Sequence, residues 1–225
     1  MKTKAMNNNI LSSPCFRWGF VLASLLVLGA CSTTYYAAWE TVGKHKRDLL
    51  RDNIEAARDE QAEAQEQIKT AMERLKELQG FDGGDLEDIY EKLNDDYEEA
   101  VERAEDVSDR IGKIDDIAND LFDEWEEEIG LISNSRFKAD SQKKLRATKK
   151  KYAALNRSMV KAEKRMDKVL VRFRDHVLYL KHNLNARAIG SLDAEVASID
   201  REVKRLIADM QASIAEAEDF IATME

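Results

Sequence analysis

Proline is almost missing from this chain. Pro14 is the only one in 225 residues, so positions 31–225 contain none. Glycine is scarce, with nine in all and seven of them after residue 30. There are two cysteines, Cys15 and Cys31, and aromatic residues make up 7%. No acidic residue occurs in the first 30 positions. Collagen-like and Pro/Gly-rich disordered chains need the residues that are scarce here. A disulfide framework needs more than two cysteines. A β-sandwich needs a turn signal every 8–12 residues, and Gly, Pro and Asn clusters are too few to provide them. What is abundant is charge, 35% of all residues. Residues 31–225 carry 32 basic and 44 acidic side chains, a net charge of -12. A chain of long helices is the class that survives.

The first thirty residues read as an export signal. Lys2, Lys4 and Arg17 are followed by the apolar run Gly19–Ala30. A positive start, a short apolar stretch and small residues before a cut define such a signal. The run is shorter than the roughly 20 residues a spanning helix needs. Leu28-Gly29-Ala30-Cys31 resembles the bacterial lipobox. That resemblance implies cleavage before Cys31, a diacylglycerol on its thiol and an N-acyl chain on its amine. Two domains follow, a removed prefix at 1–30 and a helical domain at 31–225. Cys15 leaves with the prefix, and lipidation consumes the Cys31 thiol, so no disulfide is expected although an exported compartment permits one. Each buried methylene of the anchor is worth roughly 0.8 kcal/mol, so several acyl chains hold permanently. By resemblance to the sorting rule in which inner-membrane lipoproteins tend to have Asp after the lipidated cysteine, Ser32 favours the periplasmic face of the outer membrane over the inner one in a Gram-negative cell.

The rest of the chain is periodic at helical spacing. Turn clusters at Gly80–Gly84, Gly130–Ser135 and Asn183–Ser191 divide it into four segments. The first seam is Leu50, Ile54, Ala57, Gln61, Ala64, Ile68, Ala71, Leu75 and Leu78. The second runs from Leu86 through Leu93, Val107 and Ala118 to Leu121 and Trp125. The third runs from Tyr152 through Met159, Phe173 and Leu180 to Leu184. The fourth runs from Leu192 through Leu206, Met210, Ile214, Ala217 and Ile221 to Met224. Sustained three-four spacing marks a coiled coil or long bundle, and doubled steps of four mark stutters. Short connections make consecutive helices antiparallel neighbours. The expectation is an all-α, elongated antiparallel coiled-coil bundle of about four long helices behind a lipoprotein signal peptide. Recurrent alanines predict close axis approach along the first seam. Asp85, one of Ser133, Asn134 and Ser135, and Ser191 are the expected N-caps of the later helices.

Charge divides sharply between segments. Residues 81–130 hold 21 acids and 4 bases, and residues 136–187 hold 17 bases and 4 acids. Opposite fields along neighbouring helices favour that pairing and oppose mispairing. The basic run Arg146, Lys149, Lys150, Lys151 and Arg157 could serve nucleic acid. An acidic exported chain argues against that partner.

No catalytic motif stands out. A di-iron bundle uses Glu-x-x-His, whereas the residues three before His45, His176 and His182 are Val42, Phe173 and Tyr179. No glycine-rich phosphate loop follows a strand. No metal and no cofactor other than the lipid on Cys31 is expected, and the chain reads as a non-enzyme. An unrecognised hydrolase would need a concave polar pocket. Two spots carry interest. The corner Leu180–Leu192, with His182, Asn183, Asn185 and Arg187, is either self-capping or a partner-docking tip. Tyr35, Tyr36 and Trp39 followed by Lys44, Lys46 and Arg47 suit a membrane interface or bundle packing equally.

Three blocks together resemble a known family: Tyr35–Arg51, Phe81–Asp88 and Leu180–Leu192. They are similar to the bacterial lipoprotein family called domain of unknown function 2959. The resemblance covers nearly all of 31–225. It implies a helical exported protein and adds no catalytic residue. The expected role is structural or adaptor work in the bacterial envelope, with the lipid anchor on the membrane and helix packing onto other envelope proteins. Homo-oligomerisation stays open. The alternative is a module that holds amphipathic peptides or lipids in an interhelical groove, where Val160, Leu170, Leu178 and Ile207 would form a continuous exposed stripe.

Overall fold

The computed structural model of the protein describes residues 46–80, 86–185 and 189–224. The chain divides into two compact units, Met1–Lys46 and Arg47–Glu225, and the second is described here. The described residues form four long helices and no strand. They are α1 (Lys46–Gln79), α2 (Leu86–Leu131), α3 (Ser135–His182) and α4 (Asp193–Ile221). With 34, 46, 48 and 29 residues, their lengths are about 51, 69, 72 and 44 Å. No helix among the described residues is long and apolar enough to cross a membrane.

Side-chain bonds show that all four neighbouring pairs are antiparallel. On α1 and α2, Arg110 binds Glu60 while Arg74 binds Asp96. On α2 and α3, Trp125 donates to Ser141 while Ser108 donates to Glu163. On α3 and α4, Tyr152 stacks edge-on against Phe220 while Arg172 binds Glu202. On α4 and α1, Lys76 binds Asp200 and Gln79 donates to Asp193. In each pair the number rises on one helix as it falls on the other. The end of α1 therefore meets the start of α4, as up-and-down order requires.

The first seam is buried throughout, from Leu50 to Leu78, and the third from Tyr152 to Leu180, with Leu184 half-buried. Two seams turn differently from the reading above. On α2, Leu121 and Trp125 are only half-buried, whereas Ile117, Phe122 and Ile129 are buried. Phe122 claims the core by packing edge-on to Tyr152, with ring centroids 5.5 Å apart. On α4, Ile214 and Ile221 are half-buried, whereas Ser213 and Phe220 are buried. The helix keeps alternating steps of three and four after Met210 instead of taking a second step of four.

The closest backbone approaches are α2 to α3 and α3 to α4, not those of α1. Ala100, Ala104, Ala118 and Ala162 are buried on α2 and α3. On α1 the alanines share the interior with Asn53, Gln61 and Gln65, all buried. Long side chains such as Arg110, Arg103 and Gln67 bridge the wider gap to α2.

Caps follow sequence at one end and depart from it at another. Asn134 caps α3, its side chain accepting from the N–H groups of Arg136 (3.0 Å) and Phe137 (3.2 Å). The residue capping α4 is Leu192 rather than Ser191, with no side-chain bond. The Leu192 carbonyl accepts from Val196 N–H at 2.8 Å, which leaves Ser191 outside the helix start. Asp85 lies outside the described residues. α2 has no basic residue in its last turn. Lys138 on the next helix supplies the charge, donating to the Gly130 carbonyl at 3.2 Å, where cations are favoured.

Gly112 offers a direct test of the bundle's surface. It is exposed inside α2, and a Cβ there would meet nothing within 4 Å. Gly112→Ala is expected to raise stability by about 0.5–1 kcal/mol, because alanine loses less backbone entropy in a helix. Urea unfolding reads the change; a lower midpoint would mean that the site is not an unstrained helix interior.

Candidate functional site

The Cys31 lipid site and the lipobox residues Leu28, Gly29 and Ala30 lie outside the described residues, as do Arg187, Tyr35, Tyr36 and Trp39. The rest of the corner is described. His182 ends α3 and is exposed. Asn183 caps the helix twice: its N–H donates to the Leu180 carbonyl at 3.1 Å and its side chain to the Tyr179 carbonyl at 2.9 Å. Asn185 N–H donates to the Asn183 carbonyl at 2.8 Å, and the Asn185 carbonyl accepts from Ile189 N–H at 3.1 Å. Ile189 plugs the corner and is buried. The polar density here thus largely serves the backbone. His182 and His176 do not share a site, because His176 is buried in α3 with Nδ1 on the Arg172 carbonyl at 2.9 Å.

Ion pairs are distributed unlike the segment charges. Among the described residues, Lys149–Glu126 at 2.5 Å joins the basic α3 to the acidic α2. Most other bases look elsewhere. Arg103 and Arg110 on α2 bind Glu63 and Glu60 on α1. Lys161 and Arg165 on α3 bind Asp209 on α4. On α2 the minority bases Arg103 and Arg110 thus enter an interface, that with α1, whereas on α3 the majority bases Lys161, Arg165 and Arg172 pair with acids of α4; an exposed pair is worth about 0–1 kcal/mol. The Glu60 hydrogen bonds raise Arg110 above its ordinary value. Burial, reinforced by the bond to Asp115 at 2.9 Å, pushes the Tyr152 hydroxyl far above the usual tyrosine range. Both groups keep one charge state across physiological pH. They act as fixed interhelical links, not as proton donors.

The apolar positions reserved for a binding groove are scattered. Leu170 is buried, Val160 and Ile207 are half-buried, and Leu178 is half exposed. Grooves among the described residues are lined by charged side chains. One is formed on α3 by Arg157, Lys161, Lys164, Arg165 and Lys168 around half-buried Val160, beside Asn156. Another lies between Ala147, Lys150 and Lys151 on α3 and Glu216, Asp219 and Phe220 on α4.

One apolar feature escaped the periodicity. Leu131 is 84% exposed and Phe137 is 64% exposed, flanking the α2–α3 connection. Neither falls on a seam, and residues missing from both seams could have drawn notice. They sit at the end where α3 extends past α4. The α4 C-terminal Phe220 packs at Tyr152 on α3, so α3 residues before about 147 extend beyond it.

Residues 35–224 match the family described as Protein of unknown function (DUF2959), an all-α helical-bundle class here. The chain belongs to that family. Searches of curated proteins and of solved structures find no match.

Proposed function

We propose that this protein is a lipid-anchored coiled-coil lipoprotein of the bacterial cell envelope, facing the periplasm from the outer membrane, where it acts as a structural or adaptor protein without catalysis. The observation that carries the reading is Leu28-Gly29-Ala30-Cys31 closing a short apolar prefix. The bundle behind it supports a scaffold over a peptide- or lipid-holding groove. Its seams are filled, and the apolar positions outside them do not join into a stripe. Partners are envelope proteins reached by helix packing.

Cys31→Ser should abolish acylation and move the protein out of the membrane fraction, nearly completely, since several acyl chains anchor permanently. Mass spectrometry of the N-terminal peptide and fractionation read the two effects. A variant that is cleaved yet stays membrane-bound would refute the anchor. Crosslinking in intact cells then tests the adaptor role; abundant crosslinks to no envelope protein would overturn it.

A further inference from the structure

We infer that the α2–α3 hairpin tip is a second membrane contact, dipping Leu131 and Phe137 into the headgroup region of the same bilayer that holds Cys31. The proposal deepens the lipid-anchor reading and rests on it.

Three observations converge. The tip lies at the end of the bundle where α1 begins. Arg110 on α2 binds both Asn53 and Glu60 on α1. Lys46 at the start of α1 therefore falls level with about residues 117–124 of α2. Leu131 lies about 10–21 Å further along the helix axis. The intervening sequence is long enough. Residues 32–45, between the lipid site and α1, can span at most about 50 Å, which exceeds the projection of the tip. An anchor at Cys31 thus leaves this end of the bundle within reach of lipid.

The third observation is chemical. Residues 129–139 contain Arg136 and Lys138 and no acid, in a chain whose net charge is -9. The neighbouring stretch of α2 is the acidic run Glu126-Glu127-Glu128. At the tip itself acid gives way to Leu131, half-buried Ile132, exposed Phe137 and two cations. Exposed apolar side chains beside basic groups match the bilayer interface, where alkyl and aromatic bodies enter the acyl boundary and cations meet anionic headgroups. Leu131 and Phe137 are the two most exposed large apolar side chains among the described residues, above Leu178, Val171 and Tyr179 on α3.

The test replaces the native anchor, so that its outcome does not depend on acylation. The chain from Ser32 onward, which contains no cysteine, is tethered by an N-terminal histidine tag to vesicles. The vesicles contain phosphatidylethanolamine, phosphatidylglycerol, nickel-chelating lipid and lipid carrying a nitroxide on its acyl chain. A fluorophore is placed at Ser133→Cys, or at Glu195→Cys beside the start of α4. The Ser133 label should be quenched several-fold more than the Glu195 label. Leu131→Glu combined with Phe137→Glu should bring it down to the Glu195 level; both side chains are exposed, and circular dichroism checks that the bundle persists. Equal quenching at both sites without those substitutions, or excess quenching of the Ser133 label that survives them, would overturn the proposal. So would an unquenched Ser133 label that crosslinks between copies, which would assign the tip to self-association. Acylation of Cys31 in cells is read separately, so failure of the anchor and failure of the tip are distinguishable.

Discussion

Phe173→Ala is expected to lower the stability of the bundle by about 3–5 kcal/mol, the range for emptying a buried aromatic site. Phe173 is among the largest fully buried side chains and is 1% exposed. It lies on α3, which packs closely on both α2 and α4, so no helix can move in to fill the void without leaving another partner. At about 2–4 °C per kcal/mol for a domain of this size, the melting temperature should drop by roughly 6–20 °C. Differential scanning calorimetry reads it. A drop below about 3 °C would mean that the interior relaxes freely, against a closely packed core.

Asp209→Ala is expected to cost about 2 kcal/mol, within the range for hydrogen bonds to charged groups. The Asp209 carboxylate is mostly buried, with 13% of its side chain exposed, and binds Lys161 and Arg165 across the α3–α4 interface. The Lys161 side chain is 64% exposed, so its share is screened and small. Burial alone would raise the Asp209 carboxyl, but the bonds from Lys161 and Arg165 outweigh it and hold the group below its ordinary value. Asp200 is held low as well, by bonds from Lys204 and Lys76. A carboxyl depressed in the folded state stabilises fully above its unfolded value, near 3.9. That contribution fades as pH falls through the folded value. Wild-type stability should therefore decline below about pH 4. Asp209→Ala should show a shallower decline, having lost that contribution already. Urea midpoints from pH 7 down to 2.5 test this; parallel curves for the two proteins would show that Asp209 contributes no pH-dependent stability.

Individual residues show how far the sequence could be read. The first seam needed only its spacing, because every residue of that seam from Leu50 to Leu78 falls on the buried face of α1. At Phe122 and Phe220 spacing alone chose wrongly. Two apolar candidates lay within one helical step, and the choice between them depended on Tyr152, which is remote in sequence and touches both rings. Asn134 was one of three capping candidates that composition could not rank. Ser191 lost its expected role because the chain reaches α4 one residue later.

Composition, the missing prolines and the three-four period determined an all-helical chain, its four segments and their antiparallel order, since these follow from local propensity and from connections too short to cross the bundle. The prefix ending at Cys31 is likewise a local pattern. Only the tertiary structure decided which charges enter the interfaces, which helices approach closest and that α3 extends past α4 at the end where Leu131 and Phe137 are exposed. These depend on how far each helix extends against another, and on side chains such as Arg110 and Glu60 meeting across 50 residues of chain. Periodicity along one helix carries no information about its partner's axial offset.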